Sequence, residues 1–263
     1  MSFENLTYEC AENGVLTIRF NRPDKLNAMT EAMGDDLIAA VEKARAEPGA
    51  RVVVLSGEGK AFCAGGDMTM IKNNTKRTVL ENTDGMKAFY ERFLRIRDIP
   101  VPTIASIQGA AIGAGLCIAM ACDIRLATEN AKLAVNFTAL GLHPGMGATW
   151  LLPRVVGMPH ASELLFSSRR INGAEAQRIG LVNRAVPEGE LDAATKALAE
   201  EIAACAPVAV RLTKKALRQS QESTLTDQLN FEAIQQAVTF SGKDVLEGTD
   251  AVMAKRKPVF TGE

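Results

Sequence analysis

Two glycine-rich stretches hold the residues best suited to chemistry. They are GKAFCAGGDM at 59–68 and QGAAIGAGL at 108–116. Each places small residues where an apolar run gives way to a helix-forming one. Glycine and alanine let backbone approach a ligand closely, and the free N–H groups at a helix start favour negative charge. The chemistry on offer is therefore backbone stabilisation of an anion or of a developing oxyanion. Neither stretch is a dinucleotide fingerprint, because Ile118 stands where a third glycine should follow Gly113 and Gly115. A Gly-Lys-Ser/Thr phosphate loop is also missing.

Side chains able to move protons are sparse around these turns. After the second turn no acid or base occurs until Asp123, which reads as structural. Cys117 lies one helical turn beyond Gly113. A thiolate nucleophile would want a His or cationic neighbour, and none is near in sequence, so Cys117 reads first as a small core thiol. His143, in GLHPGMG, is the best acid–base candidate, set against a plain turn role beside Pro144. His160 reads as a surface or capping residue, Asp67 as a helix cap, and Trp150 and Phe166 as core. Five cysteines without a CxxC pair and only two histidines argue against a metal site.

The elements that must position these turns follow from periodicity. LTYEC and NGVLTIRFN form a hairpin turned at Asn13-Gly14, with Leu16, Ile18 and Phe20 alternating against Val15, Thr17 and Arg19. A helix over about 30–43 starts at Thr30 and carries Met33, Leu37, Ile38 and Val41 on one face. Strands are expected at 51–57, 102–109, 124–128 and 132–135, with helices at about 80–98 and 113–122. This alternation indicates an α/β layer architecture. The polar stretch 67–85 reads as a mobile surface segment, and the chain beyond about 158 as nearly all-helical.

Composition sets the outer bounds. The chain has 263 residues, 47% hydrophobic and 23% charged, with net charge −1. That excludes bulk nucleic-acid binding, which needs a basic footprint, but leaves room for a small anionic ligand. The longest apolar run, within 110–122, is too short to span a bilayer. The start MSFENLTYEC lacks the pattern of a secretory signal, so a cytoplasmic protein with reduced thiols is expected.

Taken together, NRPDKLNAM, GKAFCAGGDM, IQGAAIGAGLCIAMACDIRLAT, LGLHPGMGAT, GAEAQRIGLVNRAVP and EGTDAVMAKRKPVF resemble the enoyl-CoA hydratase/isomerase family, the crotonase superfamily. The resemblance covers essentially the whole chain. It implies a spiral of ββα units over 1–195 and a C-terminal helical trimerisation region over 196–263. It also implies a coenzyme A thioester as substrate or ligand, no separate cofactor, and assembly as a homotrimer or a dimer of trimers. The thioester oxygen would sit between the backbone N–H groups of Gly66 and Ala114. Arg22 and Lys25 would lie near the CoA diphosphate. Ala64, Gly65, Asp67 and Met68 would line the CoA site, and Lys255 would reach its phosphates.

The resemblance also exposes a break. Hydratases of this family use two glutamates facing the α and β carbons of the acyl chain. Those positions fall here on Cys117 and Phe137. Well-placed acid–base groups contribute roughly 10²–10⁴ each, so ordinary hydration should be nearly lost. Asn136 and Thr138 flank Phe137 and should point to the opposite face of a strand. Glu81, Asp84 and Glu91 lie on the helix that often borders the acyl pocket, and Phe137 with Leu116 suggests an apolar pocket. Three functions remain open. They are non-standard acyl-CoA chemistry with His143 as leading side chain, an inactive acyl-CoA-binding protein, and weak surviving hydration.

Overall fold

A computed structural model describes residues 3–263. The chain opens with β1 (Leu6–Cys10) and β2 (Val15–Phe20), an antiparallel hairpin pairing Leu6 with Phe20 and Cys10 with Leu16. Gly14 turns it at φ +83°, and the Asn13 carboxamide oxygen accepts from the Val15 amide. Leu16, Ile18 and Phe20 are buried, as the alternation requires. A short 3-10 turn over Pro23–Lys25 leads to α1 (Glu31–Ala46). The Thr30 hydroxyl caps α1 by accepting from the Met33 amide at 3.3 Å. Met33, Leu37 and Val41 are buried on its inner face, and Ile38 is half-buried.

Three strand–strand–helix units follow. β3 (Val52–Gly57) and β4 (Ala61–Cys63) lead to α2 (Met68–Asn74) and α3 (Val79–Leu94). β5 (Thr103–Ile107) and β6 (Ala110–Ile112) lead to α4 (Ala114–Ala121). β7 (Ile124–Thr128) and β8 (Leu133–Ala134) lead, through a 3-10 turn at Thr138–Leu140, to α5 (Ala148–Ser167). Next come α6 (Gly173–Arg178) and β9 (Arg184–Val186). One sheet runs β1-β2-β3-β5-β7-β9 and a smaller one β4-β6-β8. Each unit adds its first strand to the large sheet and its second to the small one. The strands named after the hairpin pair in parallel, with an isolated antiparallel bridge between Leu133 and Ile171, so the chain winds forward as a spiral.

The unbroken apolar run Val52–Leu55 reflects a sheet covered on both faces. Val53 and Leu55 enter the main core with Ala105 and Ile107. Val52 and Val54 join Ile104 and Leu126 beneath α7 (Leu191–Ala203). The chain ends with α8 (Pro207–Ser220), α9 (Leu225–Phe240) and α10 (Lys243–Met253).

Several expectations change. A boundary at 195/196 falls inside α7, whose Leu191, Ala199 and Ala203 bury against the large sheet. The stretch GAEAQRIGLVNRAVP is helical only over Gly173–Arg178, and its end is β9, paired parallel to β7. Residues 67–85, expected as a polar surface segment, carry α2 and the first half of α3 joined through residues 75–78, with Asp67 and Thr78 as caps. Phe166 is not core: it is 80% exposed near the end of α5. Trp150 is half-buried, with the Arg154 guanidinium 4.0 Å from its ring centroid.

Candidate functional site

β4 and β6 lie side by side in parallel, Ala61 opposite Ala110 and Cys63 opposite Ala111. Their C-terminal ends open at one edge of the small sheet, where ligands of parallel sheets are received. Both glycine turns leave from that edge. Gly65 at φ +93° and Gly113 at φ +55° need the left-handed freedom of glycine. A β-carbon on Gly65 would lie 3.6 Å from the Ala114 nitrogen, so the turns stand against each other.

The hydrogen bonds leave two amides free. The Met29 amide donates to the Gly65 carbonyl at 2.8 Å, and the Asp67 amide to the Met29 carbonyl at 3.0 Å. Gly66, between them, donates to no protein group among the described residues. Ala114 opens α4, so its N–H has no acceptor within the helix. The Gly113 amide is taken by the Ala134 carbonyl at 2.8 Å. Ala114, Leu116 and Cys117 are buried, and a low-dielectric setting strengthens a bond from an amide to a developing charge. Aimed at an oxyanion, such a pair does the work of an oxyanion hole.

The first turn of α4 carries Cys117 into the core. Its thiol donates to the Gly145 carbonyl at 3.8 Å, and burial pushes its pKa well up, with Cys63 adding to the effect. Burial likewise raises Cys63 to about 12. Neither thiol is poised as a thiolate. Phe137 is half-buried and precedes the 3-10 turn rather than sitting in a strand. Asn136 therefore does not point to an opposite face. A β-carbon on Gly113 would meet the Asn136 Oδ1 at 3.2 Å and the Phe137 ring at 3.9 Å. Thr138 does turn away, its hydroxyl 2.9 Å from the Leu165 carbonyl.

His143 is exposed, with Nδ1 2.8 Å from the Pro144 carbonyl. None of its hydrogen bonds reaches the two amides. Glu81 closes a capping box, accepting from the Thr78 amide at 2.8 Å and hydroxyl at 2.7 Å. Asp84 and Glu91 are exposed on α3. His160 lies half-buried within α5. Sequence reasoning missed Tyr90, also on α3, whose ring fills the space beside Gly145.

The residues expected around CoA divide into two groups. Ala64, Gly65 and Gly66 sit at the turn itself, and Asp67 caps α2 by accepting from Thr69 at 2.8 Å. Met68 is 62% exposed beside them. Lys25 is exposed on the loop that the Ala64 amide joins through the Leu26 carbonyl at 2.9 Å. Arg22 is held otherwise: its guanidinium donates to the Ala28 carbonyl at 2.7 Å, which braces its own loop. Lys255 is exposed just past α10 at φ +52°, in the C-terminal helical region. Among the described residues no cluster of His, Cys, Asp and Glu could hold a metal ion, and no helix is long and apolar enough to cross a membrane.

A family model described as enoyl-CoA hydratase/isomerase matches residues 10–263. A Rhodobacter capsulatus protein named probable enoyl-CoA hydratase is 37% identical over 265 residues, covering 100% of both chains. The Escherichia coli 1,2-epoxyphenylacetyl-CoA isomerase is 32% identical over 253 residues, 96% of this chain and 97% of its own. The crystal structure of enoyl-CoA hydratase from Bacillus anthracis superposes with TM-score 0.93 and 34% identity, covering 99% of this chain and 100% of that one.

Proposed function

The chain belongs to the enoyl-CoA hydratase/isomerase family of the crotonase superfamily, and from that premise we propose that it binds an acyl-CoA thioester with the carbonyl oxygen between the Gly66 and Ala114 amides. The observation that carries this is the pair of free N–H groups at neighbouring strand ends. A thioester enolate or tetrahedral intermediate concentrates charge on that oxygen. One preorganised donor is typically worth roughly 10²–10³ in rate. Lys25, Ala64, Gly65 and Met68 are the surroundings through which the CoA would run, with Asp67 shaping the turn. Lys255 would act from a neighbouring copy if the C-terminal helices bring subunits together.

The reaction we infer is not two-glutamate hydration. Cys117 is sealed in the core and Phe137 is apolar, so neither supplies a carboxylate. Isomerisation, decarboxylation or carbon–carbon cleavage through an enolate, or thioester hydrolysis through a tetrahedral intermediate, suits a site whose main asset is the oxyanion hole. The same two positions favour a second reading, a protein that binds acyl-CoA without turning it over.

Calorimetric titration with crotonyl-CoA and dodecenoyl-CoA, alongside loss of the conjugated enone absorbance, tests both. Binding without hydration is the expected result. Fast hydration that survives His143→Ala would overturn the proposal of non-standard chemistry. Failure of either CoA ester to bind would overturn the thioester site itself.

A further inference from the structure

A cavity of about 770 Å³ lies between the C-terminal end of α4, the first turns of α5, the end of α7 and one face of α8. Ala114 opens α4, whereas Met120 and Ala121 close it and line the cavity. Most of that helix, about 10 Å along its axis, therefore separates the cavity from the free Ala114 amide. The volume suits a small organic ligand. The wall is mainly aliphatic, with Met120, Ile124, Leu151, Val155, Val210 and Leu217.

The charges in that wall do not balance. Arg97, Arg125, Arg154, Lys214 and Arg218 line it together with a single acid, Asp123. Lys214 and Arg218 are already held by Asp123, at 2.6 and 3.2 Å. Arg125 donates to the Leu181 and Cys122 carbonyls at 2.7 and 2.9 Å. Arg154 donates to the Trp150 carbonyl at 3.1 Å, with its guanidinium over the indole. Arg97 is left over. It lies half-buried in the 3-10 turn Arg95–Asp98 after α3, with its guanidinium 5.1 Å from the Trp150 ring centroid. Among the described residues that guanidinium has no hydrogen-bond acceptor and no carboxylate paired with it. Asp98, the nearest acid in sequence, pairs with Arg95 at 2.7 Å instead. Burial, and then the Arg218 charge, lower the Arg97 pKa, so its cation is poorly compensated where it stands. A partly desolvated cation without a partner is costly unless an anion meets it.

We propose that this cavity is a second binding site, for an aliphatic monocarboxylate whose carboxylate pairs with Arg97 and whose chain lies along the wall between α4 and α8. A guanidinium presents planar, paired donors that match a carboxylate. Arg154, exposed and also against Trp150, adds positive charge at the same end. That end is the first turn of α5, where the helix dipole favours an anion, whereas the C-terminal end of α4 would repel one. An inorganic anion would leave the aliphatic wall unused, and an uncharged chain would leave Arg97 unpaired.

The single tryptophan of the chain, Trp150, lines the cavity and reports on it. The test titrates the protein with butanoate, hexanoate and octanoate while following Trp150 emission. Octanoate should give a saturable change at millimolar concentration or below, with affinity rising about three- to fourfold per added CH₂. Octanol should bind about tenfold more weakly, the value of one hydrogen bond to a charged group. Arg97→Gln should weaken octanoate by the same factor without lowering the melting temperature. Ala209→Phe, which fills the cavity and leaves Arg97 in place, should abolish the response. Octanoate should also slow iodoacetamide labelling of Cys205, which lines the cavity, and leave Cys10 unaffected. Octanoate should bind whether or not CoA esters do, since this site does not rest on the thioester reading. No emission change with octanoate, equal affinity for the three chain lengths, or full affinity in Arg97→Gln overturns the inference. Displacement of octanoate by butanoyl-CoA overturns it as well, because the carboxylate would then occupy the thioester site.

Discussion

Gly115 lies directly against the carbonyl of Cys63. A β-carbon on it would overlap that oxygen and stand 2.8 Å from the carbonyl carbon and 3.0 Å from the Cys63 β-carbon. This contact seats the first turn of α4 on the end of β4. The spacing between the Gly66 and Ala114 amides is thus fixed by backbone packing rather than by any functional side chain.

Gly115→Ala should therefore destabilise the fold by about 1–3 kcal/mol, the usual cost of overpacking a dense core. It should also weaken butanoyl-CoA binding, because α4 must shift to make room. Gly66→Ala is the contrast. Its nearest neighbour would be the terminal Met70 carbon at 3.5 Å, an ordinary contact, and it keeps its amide. Its stability should stay within about 0.5 kcal/mol of wild type. Urea denaturation of the two variants measures the difference, and equal stabilities would show that the turns are not locked together.

The thiols should sort by burial. Cys63, Cys117 and Cys122 are buried with raised pKa, Cys10 is half-buried, and Cys205 is exposed. Iodoacetamide at pH 7.5 should modify Cys205 first and Cys10 more slowly. The three buried thiols should react only at the rate of opening or unfolding. Peptide mass spectrometry follows each site. Rapid native-state labelling of Cys117 would show that its thiol is open to solvent and available for chemistry.

Much of this was legible in sequence where one physical signal dominated. The β-branched run at 52–55 and the alternation at 15–20 marked strands correctly. Thr30 marked the start of α1. β4 and β6 escaped because they are three residues each and lie inside the glycine turns, where small residues mask any periodicity. β9 escaped for a similar reason: Arg184–Val186 is short, and its pairing with β7 is set by a partner almost 60 residues earlier. The two turns were legible from their glycines, whereas the choice of the Gly66 and Ala114 amides comes from the family resemblance. Tyr90 could not, since its relation to Gly145 is made only when α3 folds across the turn that follows β8. His143 stood out in sequence because it is rare, but rarity carries no information about exposure.

Asp123 should make stability fall in acid. It accepts from Lys214 Nζ at 2.6 Å, from the Thr103 amide at 2.8 Å and from Arg218 at 3.2 Å, tying α8 to the start of β7. Burial on its own would raise its pKa. The Lys214 charge and hydrogen bond, then Arg218 and Thr103, outweigh that and hold it below the usual carboxyl range. A carboxyl depressed in the folded state adds stability that is fully present above its unfolded pKa, about 3.9, and lost as pH falls through the folded value. Urea midpoints should therefore drop below about pH 4 in the wild type, and less so in Asp123→Asn. At pH 7, Lys214→Met should cost about 1–3 kcal/mol, because it removes the buried ammonium from a partly exposed carboxylate that Arg218 and Thr103 still reach. An Asp123→Asn variant with an unchanged acid limb would remove Asp123 from the account.

The C-terminal helices should drive self-association. Phe240, Leu246, Val252 and Met253 are 66%, 66%, 79% and 75% exposed on α9 and α10. A groove of about 830 Å³ runs between α8, α9 and α10, lined by Val238, Val245, Val252 and Phe260 among others. Apolar surface gathered this way on three adjacent helices is what an interface between copies requires, whereas scattered single residues would need no partner. The core does not depend on it, since none of these side chains belongs to either buried cluster. Phe240→Asp combined with Val252→Asp should therefore leave the monomer folded while reducing the mass seen by sedimentation equilibrium from a multimer, expected as three or six copies, to one. Circular dichroism should be unchanged at 20 °C. The melting temperature should become independent of protein concentration, because mass action no longer contributes to stability. A wild-type protein that sediments as a monomer at micromolar concentration would refute the assembly and, with it, any role for Lys255 in a neighbour's CoA site.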